Sequence, residues 1–175
     1  EVQKAIGLQK LGKTGYEVIA TFQRWHQFSG ALLFNQKLNT LLVAFSGTST
    51  SKDILMDLKF LRYHGRDKYG VAPIDYNVHA GVAQALIDSL DDFTPQFFYA
   101  VAKHSLRNKD LRIITMGHSL GGGIALLTAD YLARHKKHIE LKSNSQNNKI
   151  VIHTITFGAP RIFSKKTAQE VERRL

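Results

Sequence analysis

Leu111-Arg112-Ile113-Ile114-Thr115-Met116-Gly117-His118-Ser119-Leu120-Gly121-Gly122-Gly123-Ile124-Ala125 joins an apolar, β-branched run to a helix-forming run through a single glycine-flanked serine. Gly-x-Ser-x-Gly is a common pentapeptide, but placed directly after a strand and directly before a helix it reads as a nucleophile elbow. Such a turn has to be tight enough to strain the backbone at Ser119, and the flanking Gly117 and Gly121 let neighbouring backbone come close. Gly122 and Gly123 each cost a helix about 1 kcal/mol relative to alanine, so their presence in its first turn implies a steric demand. At the helix N-terminus, unpaired amides and the helix dipole favour negative charge. Ser119 is therefore the candidate nucleophile, and the backbone N–H of Leu120 a candidate oxyanion donor. His118, adjacent in a tight turn, is expected to point away from the nucleophile and to serve packing or hydrogen bonding.

Working outward, Leu111–Met116 and the almost wholly β-branched Ile150–Phe157 are predicted strands, both expected to be buried on two faces as in a parallel sheet. Leu120–Arg134 and Lys165–Leu175 are predicted helices. Upstream, Ala31–Phe34 and Leu41–Phe45 flank a polar hexapeptide and read as an antiparallel hairpin. Between hairpin and elbow, one helix is predicted around Gly81–Leu90 and another from Thr94-Pro95, a good cap followed by proline. Thr14-Gly15-Tyr16-Glu17 has capping-box spacing, and Ile19, Phe22 and Trp25 recur at a helical interval, predicting a helix ahead of the sheet. The fold class is α/β, with a mixed, mostly parallel sheet flanked by helices. Residues 142–149 form a polar surface loop.

The 175 residues amount to one domain, 1–175, and 43% apolar residues are enough for a core. With no cysteine, disulfides, thiolate metal sites and a cysteine nucleophile are excluded; no cofactor or metal is called for. No apolar run reaches the length of a membrane span, so the chain reads as soluble or peripheral, with its compartment unknown. The start at Glu1 carries neither an initiating methionine nor a signal pattern and reads as a fragment. The formal net charge is +10, with basic residues gathered at Arg134–Lys142 and Arg161–Arg174. These stretches lack the stacking aromatics of a single-strand nucleic-acid site, so nucleic acid is not expected; a solvated face and contact with an anionic membrane or lipid surface are the two remaining readings.

Four segments together carry a resemblance: Ile114–Gly122, Val43-Ala44-Phe45-Ser46-Gly47-Thr48, Val78-His79-Ala80-Gly81-Val82 and Thr156-Phe157-Gly158-Ala159-Pro160-Arg161. In order and spacing they resemble the class-three lipase family, which includes fungal triacylglycerol lipases, over about residues 30–165. The resemblance implies an α/β-hydrolase core, hydrolysis of acylglycerol or phospholipid esters, a helical lid and no metal. It places the second oxyanion donor at Thr48 and makes His79 structural. The family's usual arginine is replaced by Ser46, and Ile162-Phe163-Ser164 departs from its usual Val-Gly-Asn. Ser51–Leu61 is richer in apolar residues than one buried face needs and reads either as the lid or as an ordinary core element.

The serine needs a base and an acid, which in this fold follow it in the order acid, then histidine. Asp130 lies about 16 Å along the helix from Ser119, with His135 and His138 farther. His153 falls within a strand, about 13 Å from its carboxyl edge, and is expected to be buried and hydrogen-bonded. Glu170 and Glu172 belong to a helix surface. The catalytic acid and histidine are therefore expected beyond Leu175, in a C-terminal part the chain lacks. Two functions follow: a serine ester hydrolase acting on fatty-acyl esters, of triacylglycerol lipase or phospholipase A1 type, or a non-catalytic lipid-binding or interaction domain that keeps the elbow without acid and base.

Overall fold

The structure, a computed structural model, describes residues 14–24, 28–47, 62–63, 71, 77–105, 109–143 and 149–175. Their strands and helices are β1 (Glu17–Arg24), β2 (Phe28–Asn35), β3 (Thr40–Phe45), β4 (Arg62–Tyr63), β5 (Val78–His79), α1 (Ala80–His104), β6 (Leu111–His118), α2 (Leu120–Arg134), α3 (Lys136–Lys142), β7 (Ile150–Phe157) and α4 (Lys165–Glu172).

The main sheet has the order β1-β2-β3-β6-β7. Its first three strands form an antiparallel meander, and β3, β6 and β7 run parallel. It is a mixed sheet with helical crossovers, as the sequence predicts. The helical connections bring the chain back to the start of each parallel strand, so the carboxyl ends of β3, β6 and β7 share one edge. A small antiparallel pair, β4 with β5, stands apart.

One face of the sheet carries the main core. Phe22, Leu32, Val43, Phe45 and Ile113 pack there against Leu86, Phe93 and Phe97 of α1 and Ile124 and Leu127 of α2. Phe22 meets Phe45 and Phe93 edge-on, with centroids 5.8 and 5.7 Å apart, the geometry that aromatic quadrupoles favour. A smaller cluster, Ala31, Leu33, Leu42 and Ala44, lies on the other face.

Several expectations are corrected. The predicted N-terminal helix is strand β1: Gly15, at φ +76°, makes a turn, the Thr14 carbonyl accepts from Asn35 Nδ2, and pairing with β2 outweighs the local capping pattern. Trp25 lies outside the described residues. The two predicted helices are one, α1, running through Pro95. A mid-helix proline costs about 3 kcal/mol, but Leu90, Phe93, Phe97 and Val101 on either side of it are buried as one face, and that packing holds the helix continuous.

The two apolar strands are not buried on both sides. In β6, burial alternates, and in β7 Val151, His153, Ile155 and Phe157 are exposed, Phe157 at 58%. Branched side chains suit an extended backbone whether or not a second layer covers them. His153 is accordingly on the surface rather than hydrogen-bonded in the core.

Asp130 is fully buried on α2 and paired with Arg134, at 3.0 Å, and with Arg174 beyond α4, which clamps the C-terminal residues to the core helix. Asp130→Ala is expected to lower stability by about 2 kcal/mol in urea unfolding, at the lower side of buried-pair losses because both arginines reach solvent; an unchanged midpoint would show that the pair contributes nothing.

Candidate active site

At the carboxyl edge, β6 ends in the turn at Ser119, whose backbone lies at φ 54° and ψ −127°. A non-glycine residue there stores about 1–3 kcal/mol of strain, and the surroundings hold it. The Ser119 amide donates to the Phe157 carbonyl at 2.9 Å, and the Ser119 carbonyl accepts from the amides of Gly122 and Gly123. The turn is thus fixed at once to β7 and to the first turn of α2.

The glycines have the steric purpose inferred for them. A Cβ on Gly117 would stand 2.2 Å from the Gly121 carbonyl oxygen, and one on Gly121 would stand 2.5 Å from the Ser46 carbonyl oxygen and 2.7 Å from that of Phe45. A Cβ on Gly122 would meet Ala159 Cβ at 2.9 Å, and Gly123 faces Ile162, Pro160 and Val82. The helix start is pressed against the end of β3 and the segment after β7.

All four segments singled out in the sequence therefore converge on the turn. Gly47 lies so close that a Cβ there would be 3.7 Å from Ser119 Cβ. Thr48, the next residue, lies outside the described residues, as does Ser51–Leu61. Ser46 is engaged within the sheet. Its hydroxyl accepts from the Ser29 amide at 2.9 Å while its amide donates to the Ser29 carbonyl, extending the β2–β3 ladder to the edge of the site. His79 caps α1, its Nδ1 accepting from the Gly81 amide at 3.2 Å, and its own amide donates to the Ile162 carbonyl. That is the structural role expected of it, although the Ile162 contact has no signature in the sequence.

Leu120 is the first residue of α2, so its N–H has no intrahelical acceptor, and it finds none among the described residues. Its side chain is buried and only the amide can serve a ligand. His118 is exposed, and its ring lies near both Gly47 and Gly158: a Cβ added at either would stand 3.7 Å from Nδ1 and 3.8 Å from Nε2, respectively. Asp130 is engaged by its two arginines, and His135 Nδ1 lies 2.7 Å from the Tyr131 carbonyl oxygen at the far end of α2. His138 packs edge-on against Phe98. None of these stands beside Ser119.

A family model described as lipase (class 3) matches residues 42–175. The chain belongs to the class 3 lipase family. Lipases of Rhizopus niveus and Rhizopus oryzae are each 26% identical to it over 144 residues, covering 82% of this chain and 32% of theirs. The crystal structure of a lipase from Rhizopus microsporus var. chinensis superposes with a TM-score of 0.71 at 25% identity, over 92% of this chain and 50% of that one. A triacylglycerol lipase from Penicillium expansum shares the fold, with a TM-score of 0.68 at 17% identity, over 98% and 63% of the two chains. The chain thus spans about a third of the length of those curated relatives, and the fold is that of the α/β-hydrolase lipases.

Gly121→Ala is expected to cost about 3 kcal/mol in chemical unfolding, because the added methyl meets backbone oxygens that cannot swing away. A variant as stable as the parent would mean that α2 is not seated against β3 in this way.

Proposed function

We propose that this lipase-family chain carries the nucleophile and oxyanion half of a serine ester hydrolase acting on fatty-acyl esters, with Ser119 forming the acyl-enzyme. The observation that carries this reading is the strained Ser119 at the mouth of α2, beside an amide without a protein partner among the described residues and near Gly47, where an added Cβ would stand 3.7 Å from Ser119 Cβ. The Ser119 hydroxyl attacks the ester carbonyl, and the tetrahedral oxyanion is held by the Leu120 amide and by the amide or hydroxyl of Thr48. Collapse releases the alcohol, and water then hydrolyses the acyl-serine.

Proton transfer requires a base oriented by an acid. Among the described residues, Asp130, His135 and His138 are engaged elsewhere and His153 is on the sheet surface, so the reading gives neither role to any of them. Triacylglycerol and phospholipid esters both fit the chemistry; the headgroup is decided by groups around the pocket rather than by the turn. No helix among the described residues is long and apolar enough to cross a membrane.

In the protein that contains this chain, Ser119→Ala is expected to lower hydrolysis of p-nitrophenyl butyrate and palmitate by roughly 10⁶-fold, to background. Thr48→Val, which keeps the amide and removes the hydroxyl, is expected to lower kcat by about 100-fold with KM little changed if the hydroxyl is a donor. Equal rates for the parent and Ser119→Ala would reject the nucleophile and favour a non-catalytic lipid-binding domain.

A further inference from the structure

Side chains alternate along β6. Leu111, Ile113 and Thr115 are buried on the side of α2, where the Thr115 hydroxyl donates to the Ala125 carbonyl at 2.9 Å, and Arg112, Ile114, Met116 and His118 fall on the opposite face. His118 is the last residue of β6 and immediately precedes Ser119. Its backbone therefore belongs to the nucleophile turn while its side chain belongs to the far face of the sheet.

Because β6 lies between β3 and β7, the chains leaving those two strands flank the turn on either side. They are tied to β6 unequally. The β7 ladder runs to the pair His118–Phe157, and the Phe157 carbonyl accepts from the Ser119 amide. The β3 ladder stops one residue earlier, at Phe45–Gly117. Ser46 then turns its amide and hydroxyl to Ser29 of β2, and Gly47 makes no backbone bond to β6 among the described residues.

His118 stands where that bond is missing. A Cβ built on Gly47 would have as its nearest neighbours the His118 carbonyl oxygen at 3.0 Å, His118 Nδ1 at 3.7 Å and Ser119 Cβ at 3.7 Å. On the other flank, Gly158 turns the chain away from β7 at φ +56°. Among the described residues, a Cβ there would find a single atom within 4 Å, His118 Nε2 at 3.8 Å. One imidazole is thus near both loops, by different nitrogens, and neither nitrogen has a hydrogen-bond partner among the described residues.

We propose that His118 is a positioning residue for the oxyanion site: its ring is the spacer between the loop that leaves β3 and the loop that leaves β7, and it sets how far Gly47, and with it the following Thr48, stands from the Ser119 turn. This role rests on Ser119 being the nucleophile and on the Leu120 amide and Thr48 being its oxyanion donors. Such a donor acts only within about 2.7–3.1 Å of the oxyanion, so a loop that relaxes into the space of a lost ring weakens it. The ground-state ester does not use that bond, and the loss therefore falls on kcat rather than on KM. With no hydrogen bond to keep, the bulk of the ring matters and its polarity does not.

The test is p-nitrophenyl butyrate hydrolysis by the protein that contains this chain, with active sites counted by fluorophosphonate titration taken to completion, so that misfolded molecules do not enter the rate. His118→Ala and His118→Asn are each expected to lower kcat per titrated site by roughly thirtyfold with KM within about twofold of the parent, since a misplacement of about 1 Å costs on the order of a hundredfold. His118→Phe, which returns a ring of similar bulk without the nitrogens, is expected to recover to within about threefold of the parent. Affinity for a boronic acid, which forms a tetrahedral adduct on serine, is expected to fall in step with kcat/KM through the series. Circular dichroism checks folding, and His118→Asn carries the comparison if His118→Ala does not fold. Parental kcat per site in His118→Asn, a loss confined to KM, or a His118→Phe variant as slow as His118→Asn would overturn this role while Ser119→Ala stays inactive. A Ser119→Ala variant as active as the parent would instead reject the nucleophile, and the positioning role with it.

Discussion

The structure depends on backbone touching backbone where α2 begins. Gly117, Gly121 and Gly122 leave no room for a Cβ against the Gly121, Ser46 and Ala159 atoms facing them, so helix, β3 and the segment after β7 meet at one point. Only in that contact can Ser119 be held at φ 54°, with its amide tied to β7 and its carbonyl to the helix. The same closeness that creates the strain leaves the Leu120 amide at the helix N-terminus without a partner among the described residues. Strain and the anion-favouring field are two consequences of one packing requirement.

Much of this is legible in the residues alone, because it rests on local signals that only one arrangement satisfies. A serine between glycines, bounded by strand and helix patterns, leaves few alternatives, and the extra glycines declare a close approach without naming what approaches. The Ser46 and Ala159 contacts are tertiary and leave no mark in the neighbouring sequence. Where local signals are ambiguous, they mislead. Thr14–Glu17 has the spacing of a helix cap, yet the bonds that decide its fate run to Asn35 and to β2. Thr94-Pro95 looks like a helix start, yet the apolar face on either side of it is continuous. Ile150–Phe157 reads as doubly buried because branched residues record strand preference more faithfully than they record a second covering layer.

Topology also explains how the motifs come to one edge. Parallel strands bring every loop after a strand to one edge, and every return from a helix to the other. Motifs that follow strands gather at Ser119.

Labelling of the complete protein with a fluorophosphonate, followed by mapping of the modified peptide, tests the central claim most directly, since the reagent phosphonylates a serine only where hydroxyl activation and oxyanion stabilisation coincide. A single adduct on Ser119 is expected, lost on prior denaturation. An adduct on another residue, or no adduct on a folded and hydrolytically active protein, would contradict the assignment of the turn as the reacting centre.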